Sequence, residues 1–184
     1  MDLENTIVTA DAVNCQKGTV EAIAQGKGDY VLALKGNQPL FYEEVKRFFN
    51  EEYMKGIRKK ENGYKKTIEP EHGGSVTREY YIIEDTGWYS EKEKWKNLRS
   101  FGKVHKTLKK PDGSCTEDDR YYICSIKADA DEFERASRGH WEVENNLHWQ
   151  MDFTFRDDKN KSMLKTGAKN LQIMKKYRCR FYAW

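Results

Sequence analysis

No hydrophobic stretch in this sequence approaches the roughly 20 residues needed to span a bilayer, and the N-terminus lacks the apolar core of a signal peptide. The four cysteines, Cys15, Cys115, Cys124 and Cys179, show no CxxC spacing. A zinc knuckle or disulfide framework is therefore not expected, and a reduced cytoplasmic setting with buried, inert thiols is. Internal repeats and low-complexity tracts are missing too. What the chain has instead is charge and aromatic mass. Charged residues make up 34% and aromatics 13% of the 184 residues, and such aromatic content argues against disorder. The length suits one ordinary domain, or a domain carrying a sizeable insertion.

The net charge of +3 is unevenly spread. From Thr154 to Trp184 there are nine Lys/Arg and two acids, Asp157 and Asp158, which makes that segment +7 and leaves the first 153 residues at −4. Its basic residues, Lys161 and Lys165 among them, alternate with Tyr177, Phe181, Tyr182 and Trp184. That mixture suits phosphate neutralisation with base stacking. It equally suits an amphipathic helix whose aromatics dock on the core.

Periodicity divides the chain into three parts. In residues 1–63, Thr6–Ala10 and the apolar run Tyr30–Leu34 read as strands, and Gln16–Gln25 and a segment opened by Pro39 read as helices. Strand and helix alternating through short links imply a parallel α/β layer, with sites at the carboxyl ends of its strands, where Asp11 stands. Residues 64–126 change character. Val76–Glu84, Phe101–Lys109 and Arg120–Ile126 are rich in β-branched and aromatic residues, and Lys110-Pro111-Asp112-Gly113 is a hairpin-turn signal. This part reads as an antiparallel β-rich insertion. Residues 127–184 return to helix, with Asp129-Ala130-Asp131 as the capping region and acidic first turn of a helix over Phe133–Trp149.

That helix carries the densest chemistry. His140, Glu144 and His148 stand at i, i+4 and i+8 and share one face. Glu142 is a competing carboxylate about 200° away around the axis. The same face could hold zinc through its two histidines, although the H-E-x-x-H pattern of zinc proteases is absent. Asp11 could simply cap the turn that follows it. Lys35, Asn37 and Gln38 could form a strand-end turn or contact a phosphate, and Glu144 could pair with Arg138 or Lys165.

Three motifs in order narrow these choices: IVTADAVNCQ (Ile7–Gln16), ALKGNQ (Ala33–Gln38), and RGHWEVENNLHWQMDFTFRDD (Arg138–Asp158). Together they closely resemble bacterial insertion-sequence transposases of the H-repeat-associated group, and the resemblance runs from Leu3 to about Tyr177. It implies a DDE active site on an RNase H-like fold, in which three carboxylates hold two Mg²⁺ ions for phosphoryl transfer on DNA. By motif, Asp11 matches the second acid and Glu144 the third. The family's first aspartate, which belongs on a strand well upstream of Asp11, has no counterpart here, since Asp2 lies in the wrong element. At His72–Arg78 the family's H-G-R-I-E-x-R also departs, reading H-G-G-S-V-T-R. The resemblance thus implies a partial transposase domain, inactive alone, or else a DNA-binding remnant without catalysis. With DNA as the partner, Lys35, Asn37, Gln38, Arg138, His140, His148, Lys161 and Lys165 are the candidate DNA contacts, the two histidines alternatively bonding the Glu144 carboxylate. Without its upstream neighbours the Asp11 strand should form a sheet edge, leaving the chain marginal or paired there with a second copy or an upstream fragment.

Overall fold

The structure, a computed structural model, describes residues 2–71 and 73–142, with no side-chain description for Glu71 or for His140, Trp141 and Glu142. The chain divides into two compact units, Met1–Ser137 and Arg138–Trp184. The first unit holds every described strand, and its last helix runs on past Ser137.

Each element begins where local chemistry starts it. Strand β1 (Ile7–Ala10) stops at Asp11, whose side chain accepts from the Ala12 N–H and opens a single 3-10 turn, Ala12–Asn14. Helix α1 (Lys17–Gln25) ends at Gly26, and β2 (Asp29–Leu34) follows. Pro39 supplies the fixed φ for the first position of α2 (Pro39–Phe48). Asn50 then caps α3 (Glu51–Ile57) by accepting from the Tyr53 N–H at 2.9 Å. That short helix is not visible in the sequence pattern, because seven residues hold too few turns to show a period.

Four longer strands follow: β3 (Tyr64–Glu71), β4 (Gly74–Ile83), β5 (Ser100–Lys109) and β6 (Cys115–Cys124). The β5–β6 hairpin turns at the expected Lys110–Gly113. There Gly113 takes φ +84° and donates to the Lys110 carbonyl at 3.0 Å, while the Asp112 carboxylate receives the Ser114 N–H at 2.8 Å. At the neighbouring hairpin, a side chain on Gly74 would lie 2.1 Å from the Lys109 carbonyl oxygen. Only glycine lets these two hairpins pack so closely.

All six described strands form one sheet in the order β1-β2-β6-β5-β4-β3. The β1–β2 pair is parallel and every other pair antiparallel. The β-rich segment 64–126 thus continues the sheet that β1 and β2 begin, and it is β6, last in sequence, that joins β2. Both faces are covered. Tyr30, Leu32 and Leu34 of β2 join Val20, Phe41, Val45, Phe101 and Ile123 in one buried cluster. Val31 and Ala33 point the other way, into a second cluster with Tyr80, Ile82, Tyr122 and Phe133. This is why β2 reads as an unbroken apolar run rather than an alternation.

Helix α4 (Ala130–Glu142) covers the second face. The Asp129 carboxylate caps it by accepting from the N–H groups of Asp131 (2.9 Å) and Glu132 (3.0 Å), as the sequence anticipates. Its anchor is Phe133, fully buried, whose ring occupies the space left by the absent side chain of Gly102. Of the cysteines, Cys15 and Cys124 are buried as expected, but Cys115 is exposed. It opens β6 at the far end of a hairpin that no helix covers among the described residues, so its thiol is exposed.

Candidate active site

The parallel pair places the ends of β1 and β2 side by side, with Ala10 opposite Leu32. Asp11 follows β1 and Lys35 follows β2, so both side chains emerge at the carboxyl end of the sheet. The Lys35 ammonium lies 3.9 Å from Asp11 Oδ1, and about half of each side chain is exposed. That same oxygen accepts the Ala12 N–H at 3.0 Å. Among the described residues no hydrogen bond to Oδ2 is found, and the half-exposed carboxylate stands on a fixed base. In open α/β sheets this is where ligands are received.

The base is fixed by Asn37 and Gln38. The Asn37 side-chain amide donates to the carbonyls of Ala12 and, at 3.3 Å, of Cys15. Gln38 Nε2 reaches the same Cys15 carbonyl at 3.3 Å. Two carbonyls of the turn after Asp11 are thereby satisfied by the loop after β2. The loops are tied to each other, and Asp11 inherits a defined position relative to Lys35. The sequence leaves these amides open as a strand-end turn or as phosphate contacts; in the structure both Asn37 amide hydrogens and one of Gln38's bond to the turn. The signal for that role is the clustering of short polar residues after β2, which is common at turns and so does not specify a partner 22 to 25 residues away.

Asp11 therefore both caps a turn and presents a half-exposed carboxylate, and the two readings of it are compatible. The remaining expected site residues are less informative. Arg138 sits half-buried on α4, while His140 falls on α4 without a described side chain. Glu144, His148, Lys161 and Lys165 lie outside the described residues. Among the described residues no three His, Cys, Asp or Glu side chains converge as a metal cluster. Nor is any helix among them long and apolar enough to cross a membrane.

A second charged group has no counterpart in the sequence reading. Lys103 on β5 is 4% exposed, and its ammonium lies 2.9 Å from Asp119 of β6 and over the ring of Tyr121. Asp119 also meets His105 Nδ1 at 2.7 Å. Burial alone would raise the Asp119 pKa, but the hydrogen bonds and charges of Lys103 and His105 outweigh it and leave the carboxyl below its usual value. This group lies on the sheet away from the strand ends, and its contacts are structural.

An acidic side chain on a turn after a parallel strand, within a mixed α/β sheet, is the setting that enzymes acting on phosphoesters share with many others. Sequence comparison decides among them: residues 1–178 match the transposase DDE domain, and the chain belongs to that family. It is 31% identical over 180 residues to the Escherichia coli O157:H7 protein named "Putative transposase YncI", covering 96% of this chain and 45% of that protein. It is also 31% identical over 166 residues to the E. coli K12 "H repeat-associated putative transposase YhhI", covering 86% of this chain and 42% of that one. The chain thus spans less than half the length of these relatives.

Proposed function

We propose that this chain is a partial DDE transposase domain serving metal-dependent phosphoryl transfer on DNA. Asp11 and Glu144 would be two of its three carboxylates, and the third would come from outside these 184 residues. The observation that carries the reading is the half-exposed Asp11 carboxylate at the carboxyl end of the parallel β1–β2 pair, on a turn whose carbonyls the Asn37 and Gln38 amides hold. In this reading the sheet is RNase H-like, residues 1–63 form the first part of the catalytic domain, and 64–126 are its β-rich insertion. Residues 127–184 supply the glutamate helix and a basic segment.

The donor set fits magnesium. A hard dication prefers carboxylate oxygens, and Asp11 and Glu144 would supply them. Bound there with Glu144, Mg²⁺ would activate the attacking oxygen and stabilise the leaving one. The chain's own work is placement. Asn37 and Gln38 keep Asp11 from swinging with its loop. The Lys35 ammonium, now 3.9 Å from Asp11, can turn to a DNA phosphate once a cation takes its place. Arg138, His140, His148, Lys161 and Lys165 would add phosphate contacts along the glutamate helix and beyond it, toward the ends of an insertion element.

The second reading, a DNA-binding remnant without catalysis, is favoured by the +7 charge of residues 154–184. Both readings predict duplex binding that weakens steeply with salt. They separate on supercoiled plasmid in Mn²⁺ or Mg²⁺. Nicking by the chain, alone or with an upstream fragment, that disappears in Glu144→Ala supports the catalytic reading. Tight, salt-sensitive binding with no nicking under either condition supports the remnant.

A further inference from the structure

The sheet has a second open edge, far from Asp11 in strand order: β3, at the opposite end from β1. Its hydrogen-bonding phase is fixed by the Ile82 N–H, which donates to the Gly63 carbonyl at 3.0 Å across the register that pairs Tyr64 with Tyr81. Odd-numbered residues of β3 therefore bond inward to β4, and even-numbered ones point their backbone groups outward. Tyr64, Lys66 and Ile68 each present an N–H and a carbonyl, while Pro70 presents a carbonyl alone. Among the described residues no strand pairs with them. Ile68, on this edge, is 66% exposed.

Edge strands are normally blunted against self-pairing by charge and proline, and β3 has both. Their arrangement, however, is self-complementary. Lys65 and Lys66 fill one end of the strand and Glu69 and Glu71 the other, about a centre at Thr67. A parallel copy would set like charges together. An antiparallel copy with its two-fold axis through Thr67 sets Lys65 against Glu69, Lys66 against Ile68, and Tyr64 against Pro70. In that register the even residues face each other, as an outward ladder needs. Pro70 costs one donor at each end and stops the ladder there.

We propose that β3 is the contact through which two copies of this chain pair, edge to edge and antiparallel, joining their sheets into one. Lys66, Ile68 and Tyr64 of each copy would contribute roughly six intersubunit backbone hydrogen bonds in all. Lys65 already pairs with Asp131 and Glu134, and Glu69 with Arg78, so the new Lys65–Glu69 contacts link two existing networks. Thr67 Oγ1, buried without a partner in the single chain, gains one from its counterpart on the axis after a turn about χ1. The interface is isologous, as a closed dimer requires. It is independent of the chemistry assigned to Asp11.

The test is a register-specific crosslink in the full chain, with Cys115 and Cys179 replaced by serine. In this arrangement the two Thr67 residues form a non-hydrogen-bonded pair with Cα atoms about 4.5 Å apart, within the span of a disulfide. Thr67→Cys should give a disulfide-linked dimer under mild oxidation. Glu69→Cys should not, since its counterparts would stand about 14 Å apart along the strands. In sedimentation, the unmodified chain should be a dimer and Ile68→Pro a monomer with an unchanged circular dichroism spectrum, because position 68 gives β4 no hydrogen bond. A monomer at all concentrations, a dimer that survives Ile68→Pro, or equal crosslinking at 67 and 69 would each overturn the proposal.

Discussion

Replacing Phe133 by alanine should cost about 3–5 kcal/mol, which for a chain of this length lowers the melting temperature by roughly 10 °C. The ring is fully buried and meets Tyr122 edge-on at 5.3 Å between centroids and Tyr80 at 6.3 Å. It lies where a side chain on Gly102 would stand, only 2.5 Å from the ring if a Cβ were added. Cutting it back leaves a cavity that the stiff β5 backbone cannot close. It also removes the main apolar tie between α4 and the sheet, so amides of α4 should exchange faster than those of β5. The complementary change, Gly102→Ala, should also destabilise, by overpacking. Combined with Phe133→Ala its cost should shrink, because the new methyl enters the vacated space. Calorimetry on the two single variants and the double variant checks this; strict additivity would show that the ring and the glycine do not share one site.

The second large effect belongs to Asp119. Lys103 is 4% exposed and Asp119 is its one carboxylate partner among the described residues. Asp119→Asn leaves a buried ammonium facing only a neutral amide and the Tyr121 ring. Breaking a buried pair in this one-sided way costs about 3–5 kcal/mol, and the low end applies here because the Asp119 side chain is 38% exposed. Lys103→Met/Asp119→Leu, which removes both charges, should recover much of the loss. The same pair sets an acid limit. The Asp119 pKa is depressed in the folded state, so its contribution is complete above the unfolded carboxyl value, about 3.9, and is lost as pH falls through the lower folded value. Urea melts at pH 7 and pH 3 should therefore show a larger gap for the native chain than for Asp119→Asn. An equal gap would mean that Asp119 takes no part in acid unfolding.

The legible parts of this fold are those in which one residue type has one use. Pro39 at a helix start, Gly113 at a hairpin, Asp129 at a cap and the unbroken apolar run of β2 each announce their element locally. Helix α3 and strand β3 do not. The first is too short to show a period, and the second, YKKTIEPE, sets lysines at one end and glutamates at the other with only Tyr64 and Ile68 as large apolar residues, so no hydrophobic alternation marks it. The site divides in the same way. Asp11 is readable from its place after a strand, and the motif order points to the family. The Asn37 clamp is not readable, because a side-chain amide can bond to almost any carbonyl within reach. Nor is the Lys103–Asp119 pair, since the two stand diagonally rather than opposite each other on the β5–β6 hairpin and meet only once its register is known.

The proposed function requires Asp11 and Glu144 each to contribute to binding a divalent cation. Mn²⁺ binding followed by electron paramagnetic resonance, on the chain and on its Asp11→Asn and Glu144→Gln variants, tests it without requiring turnover. Weak but saturable binding is expected, falling about tenfold or more in each variant, with the double variant little worse than either single one. Binding that is unchanged in both variants would contradict it.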